Sequence, residues 1–176
     1  MSEPSPRLGP AALSDYAPWP PTRPHTDREL ARLIALLEGC GFRGGSVALG
    51  HGRDAASKAA ALAFTDAWRR SGGHLAAVVD WPEDAASWLR QARRLTRPEP
   101  DAWVVAAAPV GWAQMSRRLR HSTAWDPRRT FGFASTGDSR LVTAAGPGVL
   151  EGMRGATADG RVWTIRRGWV VESDGE

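Results

Sequence analysis

The stretch Gly45–Trp68 constrains the fold of this chain more than any other. Ser46-Val-Ala-Leu49 is a short apolar run that reads as a strand, and Gly50-His51-Gly52 follows it as a glycine-flanked turn. Behind the turn Ala56, Ala59, Ala60, Ala63, Phe64, Ala67 and Trp68 recur at steps of three and four, the spacing of a helix with one apolar face. Asp54 stands at the N-cap position, and Gly72-Gly73 closes the helix. Strand, tight turn and helix make the first half of a βαβ unit.

Two more units follow. His74–Val79, with its strand at Leu75–Val79, is a near-continuous apolar run, the pattern of a parallel strand covered on both faces. Pro82 reads as the start of the next helix, with Glu83 and Asp84 in its first turn and Ala85, Trp88, Leu89, Ala92 and Leu95 as its buried stripe. Arg90, Arg93, Arg94 and Arg97 form its solvated face. Ala102–Ala107 is the central-strand candidate, and a helix through Trp112, Met115 and Leu119 follows it. Thr130–Phe133 is a fourth strand, with Asp138 capping a short helix to Gly146. Ahead of all this, Thr26 or Asp27 caps a helix through Leu30, Leu33, Ile34 and Leu37. At the far end Val162–Val171 alternates around Arg167-Gly168 as a β-hairpin. The expected fold is a three-layer α/β/α sandwich around a doubly wound, mostly parallel sheet, with right-handed crossovers and a C-terminal β-hairpin.

The expected organisation is a proline-rich flexible arm over residues 1–26, one α/β domain over 27–172 and a tail over 173–176. Met1–Pro24 holds seven prolines and little apolar pattern, with Tyr16 and Trp19 as its only anchors, so the arm is expected to add little stability. It has no apolar h-region of a signal peptide, and nothing approaches the ~18 apolar residues of a membrane span. With a single cysteine, Cys40, the chain has no internal disulfide, and the expectation is a cytoplasmic protein away from membranes. The net charge is +4, carried by arginine as GC-rich coding would give, so it does not argue for nucleic-acid binding. Nine tryptophans spread along the chain read as core and edge packing rather than a stacking platform. The four histidines show no paired spacing; neither a metal site nor a cofactor is expected.

Three stretches carry a resemblance. The helix Arg28–Leu37 leads into Gly44-Gly-Ser-Val-Ala-Leu49. Gly72-Gly-His74 is followed by Pro100-Asp-Ala-Trp-Val-Val105. Phe131-Gly-Phe-Ala-Ser-Thr-Gly-Asp-Ser-Arg-Leu-Val-Thr-Ala-Ala-Gly146 is followed by Glu151-Gly-Met153. In order and spacing, over roughly Asp27–Ala156, they resemble the second lobe of type I periplasmic-binding proteins of the branched-chain amino-acid (Leu/Ile/Val) type. The resemblance implies a ligand cleft between two lobes, of which this chain has room for one. It also implies a carboxylate just after the Phe131–Phe133 strand to meet a ligand ammonium; that position falls here on Ala134 or Ser135.

Ligands of open α/β sheets bind at the carboxyl ends of the strands. On this chain those ends offer His51, Arg53, Asp80, Trp81, Ser135, Thr136 and Asp138 as ligand-binding residues, with Arg53 and the helix amino ends for a carboxylate and Trp81 as an apolar wall. His51, Asp80 and Asp138 with Ser135 or Thr136 also have the residue types of acyl-transfer chemistry, but no Gly-x-Ser-x-Gly elbow surrounds a serine. Gly50-His51-Gly52 is neither a G-x-G-x-x-G nor a P-loop, and reads as a plain turn. The reading is a non-catalytic, cytoplasmic binding module, a sensor or partner-binding subunit for a small carboxylate or amino-acid-like ligand. A homodimer or a second protein would replace the missing lobe. The alternative is an enzyme or biosynthetic accessory protein with a Ser/His/Asp site at the strand ends.

Overall fold

The computed structural model describes residues 6–174. A short helix, α1 (Pro10–Ser14), lies in the arm. After α2 (Asp27–Leu37), a single π turn at Glu38–Phe42 ends the helix with Gly41 at φ 88°, the left-handed conformation a Cβ disfavours. There follow β1 (Ser46–Gly52), α3 (Ala55–Arg70), β2 (His74–Trp81), α4 (Leu89–Thr96), β3 (Ala102–Ala106) and α5 (Pro109–Ser122). The chain continues through β4 (Thr130–Gly132), α6 (Ser139–Ala145), β5 (Arg154–Ala156) and the hairpin β6 (Val162–Arg166) and β7 (Trp169–Ser173).

All seven strands form one sheet in the order β2-β1-β3-β4-β5-β6-β7, parallel through β5 and antiparallel thereafter. Helices α2 and α3 cover one face, where Leu33, Leu37, Phe64 and Trp68 pack on Val47, Leu49, Val104 and Phe131. Helices α4, α5 and α6 cover the other, where Trp81, Trp88, Trp103, Trp112, Trp125 and Trp163 build most of the core. Seven of the nine tryptophans are buried, which settles their role as packing. The expected three-layer architecture is present.

Several local expectations are corrected. β1 does not end at Leu49 but runs on through Gly50-His51-Gly52, so these glycines belong to the strand. Gly50 is glycine because the Trp81 ring lies against it: a Cβ there would come within 2.5 Å of the ring. β2 is not covered on both faces. It is the outermost strand, with a bulge opposite Val47/Ala48 and Val78 left 47% exposed. Helix α4 starts at Leu89 rather than Pro82, because residues 82–88 have other bonds to make: Trp88 Nε1 donates to Pro82 O at 2.9 Å, and Glu83 reaches away to α5. β5 has no pattern of its own; it is three residues long and includes Gly155 against the carbonyl of Gly132.

The described part of the arm is seated on the domain by its backbone. Leu8 N donates to Gln114 Oε1 (2.9 Å) while Gln114 Nε2 donates to Leu8 O (3.0 Å). Arg117 Nε donates to Pro6 O (2.7 Å), and Arg140 Nη1 donates to Pro18 O (3.0 Å). Leu8, Tyr16 and Trp19 rest on the α4–α6 core. The hydrogen bonds come from α5 and α6 side chains, so the arm's own composition does not show them.

Candidate functional site

In a doubly wound sheet the crevice lies outside the carboxyl ends of the strands where the strand order reverses. The connection from β1 runs to β2 on one side, whereas that from β3 runs to β4 on the other, so the reversal falls between β1 and β3. A cavity of about 300 Å³ lies there. Ala106, Ala107 and Phe133, from the ends of β3 and β4, give it an apolar wall. The amino end of α3, the Glu29 side chain of α2 and the loop Ala134–Asp138 give it polar ones. The arm residues Pro20–His25 supply the remainder.

Glu29 arrives through the capping box of α2. Thr26 Oγ1 accepts from Glu29 N at 3.1 Å, and Glu29 Oε2 accepts from Thr26 N at 3.2 Å. Its other oxygen, Oε1, accepts from Ala134 N at 2.6 Å, tying α2 to the end of β4. The side chain is buried, and burial pushes its carboxyl above the ordinary range despite the opposing amide bonds from Ala134 and Thr26 and the nearby His25. A carboxylate therefore does stand just after the β4 strand, supplied by α2 rather than by residue 134 or 135.

Ser57 and His25 also line the cavity, and each carries a buried polar atom without a partner among the described residues. Asp54 caps α3 through Oδ1, which accepts from Ser57 N at 2.9 Å. The Ser57 hydroxyl itself is buried and has no hydrogen-bond partner among the described residues. It sits in the first turn of a sixteen-residue helix, where backbone N–H groups and the helix dipole favour negative charge. His25 stands edge-on to Phe133, ring centroids 5.9 Å apart, and its buried Nδ1 is likewise without a partner.

The seven residues expected at this edge separate into three groups. Ser135 and Asp138 line the cavity. Burial raises the Asp138 carboxyl, but the side-chain bond from Arg140, with the Arg140 and Leu141 amides, outweighs it and holds the group below its ordinary range. Thr136 is next to them but wholly buried, its hydroxyl donating to Phe133 O at 2.7 Å. His51, Arg53 and Asp80 gather one strand away. There Arg53 Nε donates to Asp80 Oδ2 at 2.8 Å, which holds the Asp80 carboxyl low against the effect of its burial, while His51 Nδ1 lies 2.7 Å from Gly52 O. Trp81 is not a site wall: it is fully buried beside Trp112, with ring centroids 6.0 Å apart. His51, Asp80, Ser135, Thr136 and Asp138 share no hydrogen bond with one another, so no nucleophile–base–carboxylate relay is assembled at this edge. Among the described residues no group of three His, Cys, Asp or Glu side chains is placed to hold a metal ion, and no helix is long and apolar enough to cross a membrane.

Glu29, His25 and Ser57 were absent from the sequence-derived site. Thr26-x-x-Glu29 is legible as a helix start, but that Glu29 also reaches Ala134 is not, because 105 residues separate them.

The molecule is one α/β lobe with a ligand-sized crevice at its switch point. No family model matches the chain, and no curated protein matches it. Solved structures do. A protein from Rhodospirillum rubrum assigned to branched-chain amino acid ABC transport is 23% identical, with a TM-score of 0.62 over 73% of this chain and 36% of its own. A substrate-binding periplasmic protein from Ralstonia solanacearum is 18% identical, with a TM-score of 0.65 over 84% of this chain and 40% of its own. A branched-chain amino acid ABC transporter periplasmic ligand-binding protein from Burkholderia xenovorans is 13% identical, with a TM-score of 0.59 over 74% and 34%. The chain thus spans well under half the length of the structures it matches. Its fold is that of a single lobe of a periplasmic-binding protein.

Proposed function

We propose that this chain is a non-catalytic binding module for a small carboxylate or amino-acid-like ligand, acting as a cytoplasmic sensor or partner-binding subunit. The observation that carries the reading is the cavity of about 300 Å³ at the switch point of the sheet, lined by the amino end of α3 on one side and by Ala106, Ala107 and Phe133 on another. In this reading the α3 amides and Ser57 take the ligand carboxylate. Ala106, Ala107 and Phe133 contact a short apolar side chain. The arm residues Pro20–His25 cover part of the crevice. A second copy or another protein meeting the arm-covered face would complete the closure. The folds it matches belong to ligand-binding proteins, which supports the reading.

Titration calorimetry with glycine, alanine, leucine and acetate, on wild type and Ser57→Ala, tests it. The expected result is measurable binding by wild type, weakened roughly threefold to tenfold in Ser57→Ala, the worth of one hydrogen bond. No heat with any of these, together with no chemical-shift change at Ser57, Glu29 or Ala134, would overturn it. Turnover of any of them, abolished by His51→Ala, would restore the enzyme alternative. Cell fractionation that recovers the protein outside the cytoplasm would overturn its placement there.

A further inference from the structure

We propose that the two open edges of the sheet, β2 and β7, are complementary halves of a head-to-tail contact between copies of this chain. Each strand has a neighbour on one side only. Open edges present unpaired backbone groups and are natural templates for another strand. Both also carry exposed apolar side chains, Val78 on β2 and Trp169 (69% exposed) and Val171 on β7.

The two edges match on both faces of the sheet. Ala77 and Val79 pack into the α4–α6 core, so Val78 between them projects from the opposite, α2–α3 face. Val170 packs into the same core, so Trp169 and Val171 also project from the α2–α3 face. Continuing the sheet from β7 of one copy to β2 of the next therefore sets Val171 and Trp169 beside Val78.

On the other face the match is electrostatic. Arg94 of α4 and its C-cap Arg97 flank the β2 edge in a groove with Ala77, Val78 and Val79. Arg90 and Arg93 extend this basic surface, and none of the four has an ion-pair partner among the described residues. Glu172 lies on the Val170 side of β7, and Asp174 follows it; both are exposed, and Glu172 Oε2 already meets Arg161 at 2.7 Å. The same charges disfavour a β2–β2 pair, which would bring two arginine helices together. The heterologous pairing joins opposite signs, and it leaves the carboxyl-end crevice free. Its failure would therefore not bear on the ligand reading.

Sedimentation velocity on the intact chain over a concentration series tests the contact. At low salt the mean mass should rise above the 19.0 kDa monomer with concentration, and fall back toward it at high salt. Arg94→Glu with Arg97→Glu should be monomeric, as should Glu172→Arg with Asp174→Arg. An equimolar mixture of these two variants should regain association, since each then offers an edge the other can take. Val78→Lys, at a half-exposed edge position whose side chain projects from the opposite face of the sheet, should also lose it, which covers the case of a reversal variant failing to fold. A wild type that is monomeric throughout, an oligomer indifferent to Val78→Lys, or folded reversal variants whose mixture stays monomeric would overturn the proposal.

Discussion

The Glu83 carboxylate accepts the amide of Gly111 at 2.8 Å, so the loop after β2 caps the helix after β3. Helix α5 needs this help, because its own N-cap is Ala108, which has no side-chain acceptor. Gly111 makes room for the contact: a Cβ there would lie 2.5 Å from Glu83 Oε1. The bond uses one carboxylate oxygen. The other, Oε1, is buried without a partner, as is Oδ2 of the nearby Asp54.

Burial first, and the Asp54 charge with it, push the Glu83 carboxyl above its ordinary range, against the Gly111 bond. The folded state thus holds this proton at pH values where the unfolded chain has released it. Its stabilising effect is complete below the ordinary glutamate pKa and is lost as pH rises through the raised one. Glu83→Gln keeps an acceptor for Gly111 and gains an N–H₂ that can meet Asp54. At pH 7 it should be as stable as wild type or more so, by up to about 1 kcal/mol, with a flatter pH profile between pH 4 and 7. Urea denaturation at both pH values checks this. A loss at pH 7 would refute it.

Glu29→Ala removes the reciprocal half of the α2 capping box and the bond to Ala134 together. The expected cost is roughly 2–3 kcal/mol, a helix cap plus a hydrogen bond to a charged group. Glu29→Gln should cost less, since one amide acceptor survives. Chemical denaturation of both variants gives the comparison. Equal losses would show that the Ala134 bond contributes nothing separable.

Trp103 of β3 is 2% exposed, and its Nε1 donates to Leu95 O at 3.1 Å. Trp103→Ala should cost roughly 3–5 kcal/mol through the cavity it leaves. A loss below about 1 kcal/mol in denaturant melts would mean that the surrounding core collapses to fill the space.

Arg117 donates to Pro6 O and to Ala145 O, and Gln114 exchanges two hydrogen bonds with Leu8. Gln114→Ala with Arg117→Ala should free the arm before the domain unfolds. Limited proteolysis should then cut within residues 6–26 faster, with the main thermal transition little lowered. Unchanged cleavage would locate the anchorage in Tyr16 and Trp19.

Much of this architecture was legible in the chain. The βαβ rhythm, the ends of α2 and α3 and the hairpin around Arg167-Gly168 depend on neighbours within a few residues, and side-chain period and capping chemistry are local. By itself the sequence determined the fold class, the resemblance to one lobe of a binding protein and the edge at which the crevice opens. Tertiary structure alone decided which residues face that crevice. Strand order made the apolar run of β2 an edge instead of a centre, since a run of valines does not say how many neighbours it will have. The close approach of Trp81 to Gly50 turned an expected site wall into core. Glu29 and Ala134, Glu83 and Gly111, and Leu8 and Gln114 meet across 105, 28 and 106 residues, through backbone groups whose positions exist only once the layers have packed.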